Sequence, residues 1–212
     1  NDGNLKPSFL AVTNTKPEDP DLISKNAERV LIARLRDAQF FWDEDKKVSL
    51  ENRLDRLDTI LFHKKLGSYK KKTERVAHLA RWITETWGCS NQAAFAEQAG
   101  RLCRADLATE MVREFTELQG KMGGIYAREE GLPEQVWKAI YYHYLPVGVE
   151  AEAPPSKTDL GPAAIPWAAV ALADKLDSVV GMFLAGERPT GSRDPFGLRR
   201  QAQGIVKILS DT

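Results

Sequence analysis

Cysteine is scarce in this chain. Only Cys89 and Cys103 occur in 212 residues. Two thiols give neither a disulfide framework nor a zinc-finger spacing, which favours a reducing, cytoplasmic setting. The three histidines, His63, His78 and His143, are scattered. None stands three or four residues from another, so no zinc site is suggested, and no cysteine–histidine nucleophile is suggested either. Neither sign of charge dominates. Lysine plus arginine total 30 and aspartate plus glutamate total 30, so the net charge is zero. A strongly basic nucleic-acid module is excluded as a description of the whole chain, though a local basic patch is not. No long uncharged apolar run exists, so no membrane span is expected. Gly120, Gly123 and Gly124 do not follow a strand, so they form no phosphate-binding glycine loop, and nothing assembles an ATP site. There is no internal repeat and no low-complexity segment. Asn1 opens no signal-peptide pattern and no initiator methionine is present, which suggests a section of a longer chain.

What is present is mostly helical periodicity. Phe9, Leu10, Ala11 and Val12 form a short apolar run, so Leu5 to Thr13 is predicted as one strand closed by a loop at Pro17. From Asp21 the period changes. Leu31, Leu35, Ala38 and Trp42 make one stripe on a long helix. Ser49 can cap a second helix along Leu50, Leu54, Leu57 and Leu61, ended by Gly67. A third is expected from Lys72 to Trp87, with Val76, Leu79, Ala80 and Ile83 inside. Asn91 to Phe115 reads as two short helices or one bent one. The glycines weaken a helix over Leu118 to Glu129, by roughly 1 kcal/mol each. Pro133 suits the first turn of a helix running to Tyr144, and the proline-rich Pro146 to Pro162 reads as a loop. Ile165 to Leu184 is a strongly apolar helix, and Asp194-Pro195 opens a last one. Trp82, Trp87, Trp137 and Trp167 lie on or beside apolar faces and are expected to be buried. The fold class is all-α with one short N-terminal strand.

Four features could carry function. Asp174 sits within an apolar helix, where burial without a partner is costly. Spacing alone favours an exposed turn with Lys175 and Asp177 also solvated, over a metal ligand or a carboxylate bonded to another helix. Asp106 could cap a helix at Leu107, or meet Asp174 across a bundle core. His63, Lys64, Lys65, Lys70, Lys71, Lys72 and Arg75 cluster around Gly67, with Glu74 the one acid among them. Such a run is most often solvated surface, and its functional reading is phosphate contact. Arg200, Gln203 and Lys207 share a face of the last helix with Arg199 beside them, a second strip open to the same two readings.

Four stretches together resemble the beta subunit of bacterial-type glycyl-tRNA synthetase. They are NAERVLIARLRDAQFFWDEDKK, ILFHKKLGSYKKKTERVAHLARWI, LCRADLATEMVREFTELQGKMGGIYA and ALADKLDSVVGMFLAGERPTGSRDPFGLRRQAQGIVKI. The resemblance covers nearly the whole chain, in the family's order and spacing. It implies an internal section of a longer subunit. Residues 1–20 would end a preceding domain, residues 21–62 would be connecting helices, and residues 63–212 would form an HD-type helical domain. Active HD phosphohydrolases bind metal through a histidine, a His-Asp pair and a distant aspartate. In this chain the corresponding positions are Lys72, Ala105, Asp106 and Asp174. Two of those four ligands are gone, so no metal and no catalytic residue is expected. Lys72 could instead pair with Asp106 or Asp174.

The resemblance further implies a cytoplasmic, heterotetrameric ligase. Its partners are glycine tRNA, the alpha subunit and the rest of the beta subunit. ATP and magnesium are used by the alpha subunit, and no cofactor is expected in this section. The section itself would contact the tRNA acceptor arm through Lys64, Lys65, Lys70, Lys71, Lys72, Arg75, Arg199, Arg200 and Lys207. The alternative is a residual HD metal phosphohydrolase acting on nucleotides. Ligand count favours the first reading.

Overall fold

The computed structural model describes residues 6–14, 16–147 and 154–211. The chain packs as two units, residues 1–44 and 45–212. The expected boundaries after residues 20 and 62 fall inside these units.

In the first unit, Pro20–Asp45 (α1) carries the long stripe as far as Glu44, and Asp19 caps its start by accepting from the Leu22 amide at 2.9 Å. Residues 6–14 are not a strand, and Leu5 lies outside the described residues. A strand needs a ladder partner, and none pairs with 6–14 among the described residues. The sheet that does form is elsewhere. Leu61–His63 (β1) pairs antiparallel with Gly67–Ser68 (β2). Gly67 adopts φ +89°, a backbone that the turn requires and that other residues resist.

The second unit begins at a charge-tied corner. The Asp45 carboxylate accepts from the Glu110 and Met111 amides, each at 2.9 Å, and from the Tyr126 hydroxyl at 3.0 Å. It also pairs with the buried Arg53 at 3.2 Å. Asp45 thereby caps Glu110–Glu114 (α5) from 65 residues away. Ser49 caps Leu50–Arg53 (α2) as expected, but a 3₁₀ turn follows over Leu54–Thr59. Leu50, Leu54 and Leu57 are buried, whereas Leu61 has left the helical period for the hairpin and is exposed.

The core is made by Tyr69–Thr86 (α3), Ala93–Leu102 (α4), Glu134–Tyr142 (α7) and Ala164–Ala185 (α9). Helix α3 packs on α4 and α9, and α7 packs on α9 and α4. Helix α9 runs through the centre, with every residue from Pro166 to Lys175 buried. Lys121–Glu129 (α6) packs on α7, and Leu198–Asp211 (α10) packs on α9. Lys157–Leu160 (α8) is a single turn closed by a reciprocal Ser156–Asp159 capping box.

Two glycines let helices approach, and one of them, Gly124, is among those that argue against a helix. A Cβ on Gly124 would lie 2.4 Å from Tyr141 Cβ, and one on Gly100 would lie 2.9 Å from Ala77 Cα. Of the four tryptophans, Trp167 is buried and Trp137 is partly covered. Trp82 and Trp87 are exposed, at 60% and 39%, because the apolar side of α3 ends on Val76, Ala80 and Ile83.

Candidate functional site

Helix α9 places four polar residues, Asp174, Lys175, Asp177 and Ser178, in otherwise apolar surroundings. They are not a solvated turn. Asp174 and Lys175 are each 4% exposed, and only 8% of the Asp177 side chain is exposed. Partners from α3 and from the turn after α4 make that burial tolerable. Lys72 donates to Ser178 Oγ at 2.7 Å, to Asp177 Oδ2 at 3.1 Å and to the Asp174 carbonyl at 3.2 Å. Its ammonium also lies 3.2 Å from Asp174 Oδ1, a charge contact without hydrogen-bond alignment. Arg104 donates to Asp174 Oδ2 at 2.5 Å and stacks on the Tyr144 ring. Arg75 holds Asp177 through two nitrogens. Burial pushes the Asp174 carboxyl up, but the attraction of Arg104 and then Lys72 outweighs it and holds the group well below the usual carboxylate range. Lys175 donates to the carbonyls of His143, Tyr144 and Leu145 at 3.1–3.3 Å, and burial pushes its ammonium down to about 8.

The four positions that the resemblance likened to HD ligands therefore separate. Lys72 and Asp174 meet as an ion pair. Asp106 is engaged elsewhere. Its Oδ2 accepts from the Gly120 amide at 2.6 Å and the Gly123 amide at 3.1 Å, capping α6 rather than a helix at Leu107. Burial pushes its carboxyl up to about 6 against those two donors. Ala105 is buried and offers no ligand atom. A divalent ion does not fit these residues, because both oxygens of Asp174 already face cations and Asp106 Oδ2 is held by backbone donors. Arg104 and Ser178 were missed in the sequence. The signal was four polar residues within five on an apolar helix, a pattern that demands buried partners if the helix is central.

The basic cluster also divides. Lys72 is 1% exposed and so is withdrawn from any phosphate-contacting set. Lys70 pairs with Asp55 at 2.7 Å, and Lys65 donates to the Ala185 carbonyl at 2.7 Å at the C-terminal end of α9. Lys64 and Lys71 are exposed, with no ion-pair partner among the described residues. On α10, Arg199 donates to the Gly191 carbonyl at 3.1 Å and to the Thr190 carbonyl, and Arg200 is exposed. Asp194 caps this helix through the Leu198 and Arg199 amides, at 2.8 and 2.9 Å.

The hairpin and the start of α10 are neighbours. His63 lies 3.5 Å from the Glu187 carboxylate, and its ring meets Phe196 edge-on at 5.9 Å. Between them opens a cavity of about 430 Å³, lined by Lys72, Arg104, Asp174 and Lys175 at its base and by Phe62, Phe196 and Arg200 among its other walls.

His143 is fully buried at the C-terminal end of α7. Its Nδ1 lies 2.6 Å from the Ile140 carbonyl, which makes that nitrogen the donor, and Nε2 is buried without a partner among the described residues. Burial and then Arg104 push the imidazole down to about 3 from 6.5. Between those values the unfolded chain takes up a proton that the folded chain refuses, so this residue destabilises the fold as pH falls. Asp106 acts in the opposite sense between 3.8 and about 6, because the folded chain there holds the extra proton. His143→Gln isolates the first effect. In urea titrations, the stability of the parent should fall relative to the variant by up to about 1.4 kcal/mol per pH unit below 6.5. A difference that does not change with pH would mean that His143 is protonated in place.

The glycyl-tRNA synthetase beta subunit family model matches residues 1–212. The chain is 44% identical over 210 residues to the glycine–tRNA ligase beta subunit of Desulfatibacillum aliphaticivorans, covering 99% of this chain and 29% of the relative. It is 47% identical over 208 residues to that of Pseudomonas fluorescens, covering 98% and 29%. For Neisseria gonorrhoeae the figures are 46% over 207 residues, again covering 98% and 29%. The chain thus spans under a third of the length of these curated relatives. A match along every residue, with close identity to several of its members, places this chain in the glycyl-tRNA synthetase beta subunit family.

Proposed function

We propose that this chain is a tRNA-contacting and assembly section of a glycine–tRNA ligase beta subunit, working in the cytoplasm beside an alpha subunit that uses ATP to glycylate tRNA. The observation that carries the reading is the locking of Asp174 by Arg104 and Lys72. A carboxylate held by two buried cations supports an HD fold kept as a scaffold over one kept for phosphohydrolysis. The exposed cations support the RNA contact. Lys64 and Lys71 lie on the hairpin side, Arg199 and Arg200 on the α10 side, and the His63–Phe196 contact joins the two sides into one rim. Such side chains position a phosphate backbone without reading bases, which suits an acceptor arm.

The test is a salt series on the intact ligase. Replacing Lys64 and Lys71 together by alanine, and separately Arg199, Arg200 and Lys207, should weaken tRNA binding. Each lost phosphate contact should flatten the log–log salt dependence by roughly 0.7 to 0.9. Glycine activation without tRNA reports that the assembly is intact. If both sets bind tRNA like the parent at every salt concentration, the rim is solvated surface and the RNA path lies elsewhere.

A further inference from the structure

The cavity between the hairpin, α9 and α10 has a composition that scaffolding does not require. Four cations line it, Lys72, Arg104, Lys175 and Arg200, against the single carboxylate of Asp174. Counting Asp177, which contacts Lys72 from outside the lining, still leaves positive charge in excess. Three of those cations are buried, where charge without a counter-ion is expensive. Buried Arg104 Nε–H has no acceptor among the described residues. An anion entering here gains from the excess charge.

The walls add a second chemistry. Phe62, Tyr69 and Phe196 are only partly covered and all line the cavity. Phe62 and Tyr69 meet edge-on at 5.4 Å, and Lys72 Nζ lies 4.6 Å from the centre of the Phe62 ring. Aromatic rings beside an anion-attracting base suit a ligand with a flat π-system next to a phosphate. The volume of about 430 Å³ lies within the range of small-molecule sites.

We propose that this cavity binds one nucleoside monophosphate unit directly, without metal and without turnover, its phosphate held toward Arg104 and Arg200 and its base against Phe196. The unit is either a free nucleotide or the unpaired end of an RNA. The binding goes beyond the tRNA-backbone contact proposed above, which shares Arg200 with the cavity but otherwise uses Lys64, Lys71, Arg199 and Lys207 outside its lining.

The experiment is equilibrium dialysis of radiolabelled GMP and CMP against the intact protein in EDTA. These probes leave an ATP-using site elsewhere in the assembly untitrated. Saturable binding at one nucleotide per chain is expected. Arg200→Gln, a change at an exposed position, should weaken it about tenfold through loss of a charged hydrogen bond. Phe196→Ala should weaken GMP but not the competition by inorganic phosphate. The Lys64→Ala, Lys71→Ala double variant should bind GMP like the parent, so a failure of the backbone reading is separable from a failure here. A short single-stranded RNA that displaces GMP at lower concentration than GMP itself assigns the site to a chain end. An RNA that does not displace it assigns the site to the free nucleotide. No saturable binding of either nucleotide, or binding indifferent to both Arg200→Gln and Phe196→Ala, overturns the proposal.

Discussion

Asp174→Ala should lower folding stability by about 3–5 kcal/mol at neutral pH, the range for removing one partner of a buried ion pair. The variant leaves Arg104 without its carboxylate partner and Lys72 with Asp177 as its remaining carboxylate. Both cations are nearly sealed from water, so neither can be rehydrated cheaply. For a chain of this size the loss corresponds to a melting temperature lower by on the order of 10 °C. The effect carries a pH signature. The folded carboxyl is held below its ordinary value of 3.8, so its contribution is fully present above that value and is lost as pH falls further. The gap between parent and variant should therefore hold down to about pH 4 and then narrow by up to about 1.4 kcal/mol per pH unit. Urea unfolding of both proteins at pH 7 and at about pH 2.5, below the ordinary carboxylate value, makes the comparison. A difference under about 1 kcal/mol at pH 7 would mean that water reaches the cluster and that the pairs behave as surface salt bridges.

This cluster also shows where sequence reading stops. The local facts were legible: α9 is apolar, it carries Asp174, and Ser49 and Asp194 cap their helices. What could not be read was the placing of Lys72 and Arg104 against Asp174, because those partners lie 102 and 70 residues away. Without them an aspartate on a helix is cheapest in water, and the solvated reading follows. The resemblance to HD domains raised a carboxylate partner for Lys72, and the structure pairs it with Asp174. The resemblance left open whether Lys72 would meet Asp106 or Asp174. The structure engages Asp106 with amides 14 and 17 residues further along.

The misplaced strand has a related cause. Phe9 to Val12 has strand composition, but a strand exists only when something pairs with it. The hairpin at Gly67 carries charge and little β-branching, and it forms because Gly67 permits the turn while Ser68 caps α3 and donates to Asp58 at 2.7 Å. Local propensity yields there to the requirements of the helix start. The charge run around Gly67 was legible as composition only. Pairing partners on other elements decide which of its members remain available to a phosphate, and those partners are Asp55 for Lys70, Asp177 for Arg75 and the end of α9 for Lys65.

Gly124→Ala tests the tertiary override of propensity most directly. On an isolated helix the change would be favourable by roughly 1 kcal/mol. Here the added Cβ would sit 2.4 Å from Tyr141 Cβ, 2.7 Å from Tyr141 Cα and 2.9 Å from the Trp137 carbonyl oxygen. The last two are backbone atoms, so no rotamer change relieves the contact and α6 must move away from α7. That motion strains the packing around Ile140 and the Gly120 and Gly123 amides that hold Asp106. Overpacking of this kind costs about 1–3 kcal/mol or more, enough to exceed the gain in propensity. Gly181→Ala in α9 is the matched control, because its Cβ would meet only the side-chain tip of Leu66, at 3.0 Å. Thermal melts should place Gly124→Ala clearly below the parent and Gly181→Ala level with it or slightly above. Equal melting temperatures for all three would mean that α6 can shift freely on α7, and that the glycines mark nothing more than weak helix propensity.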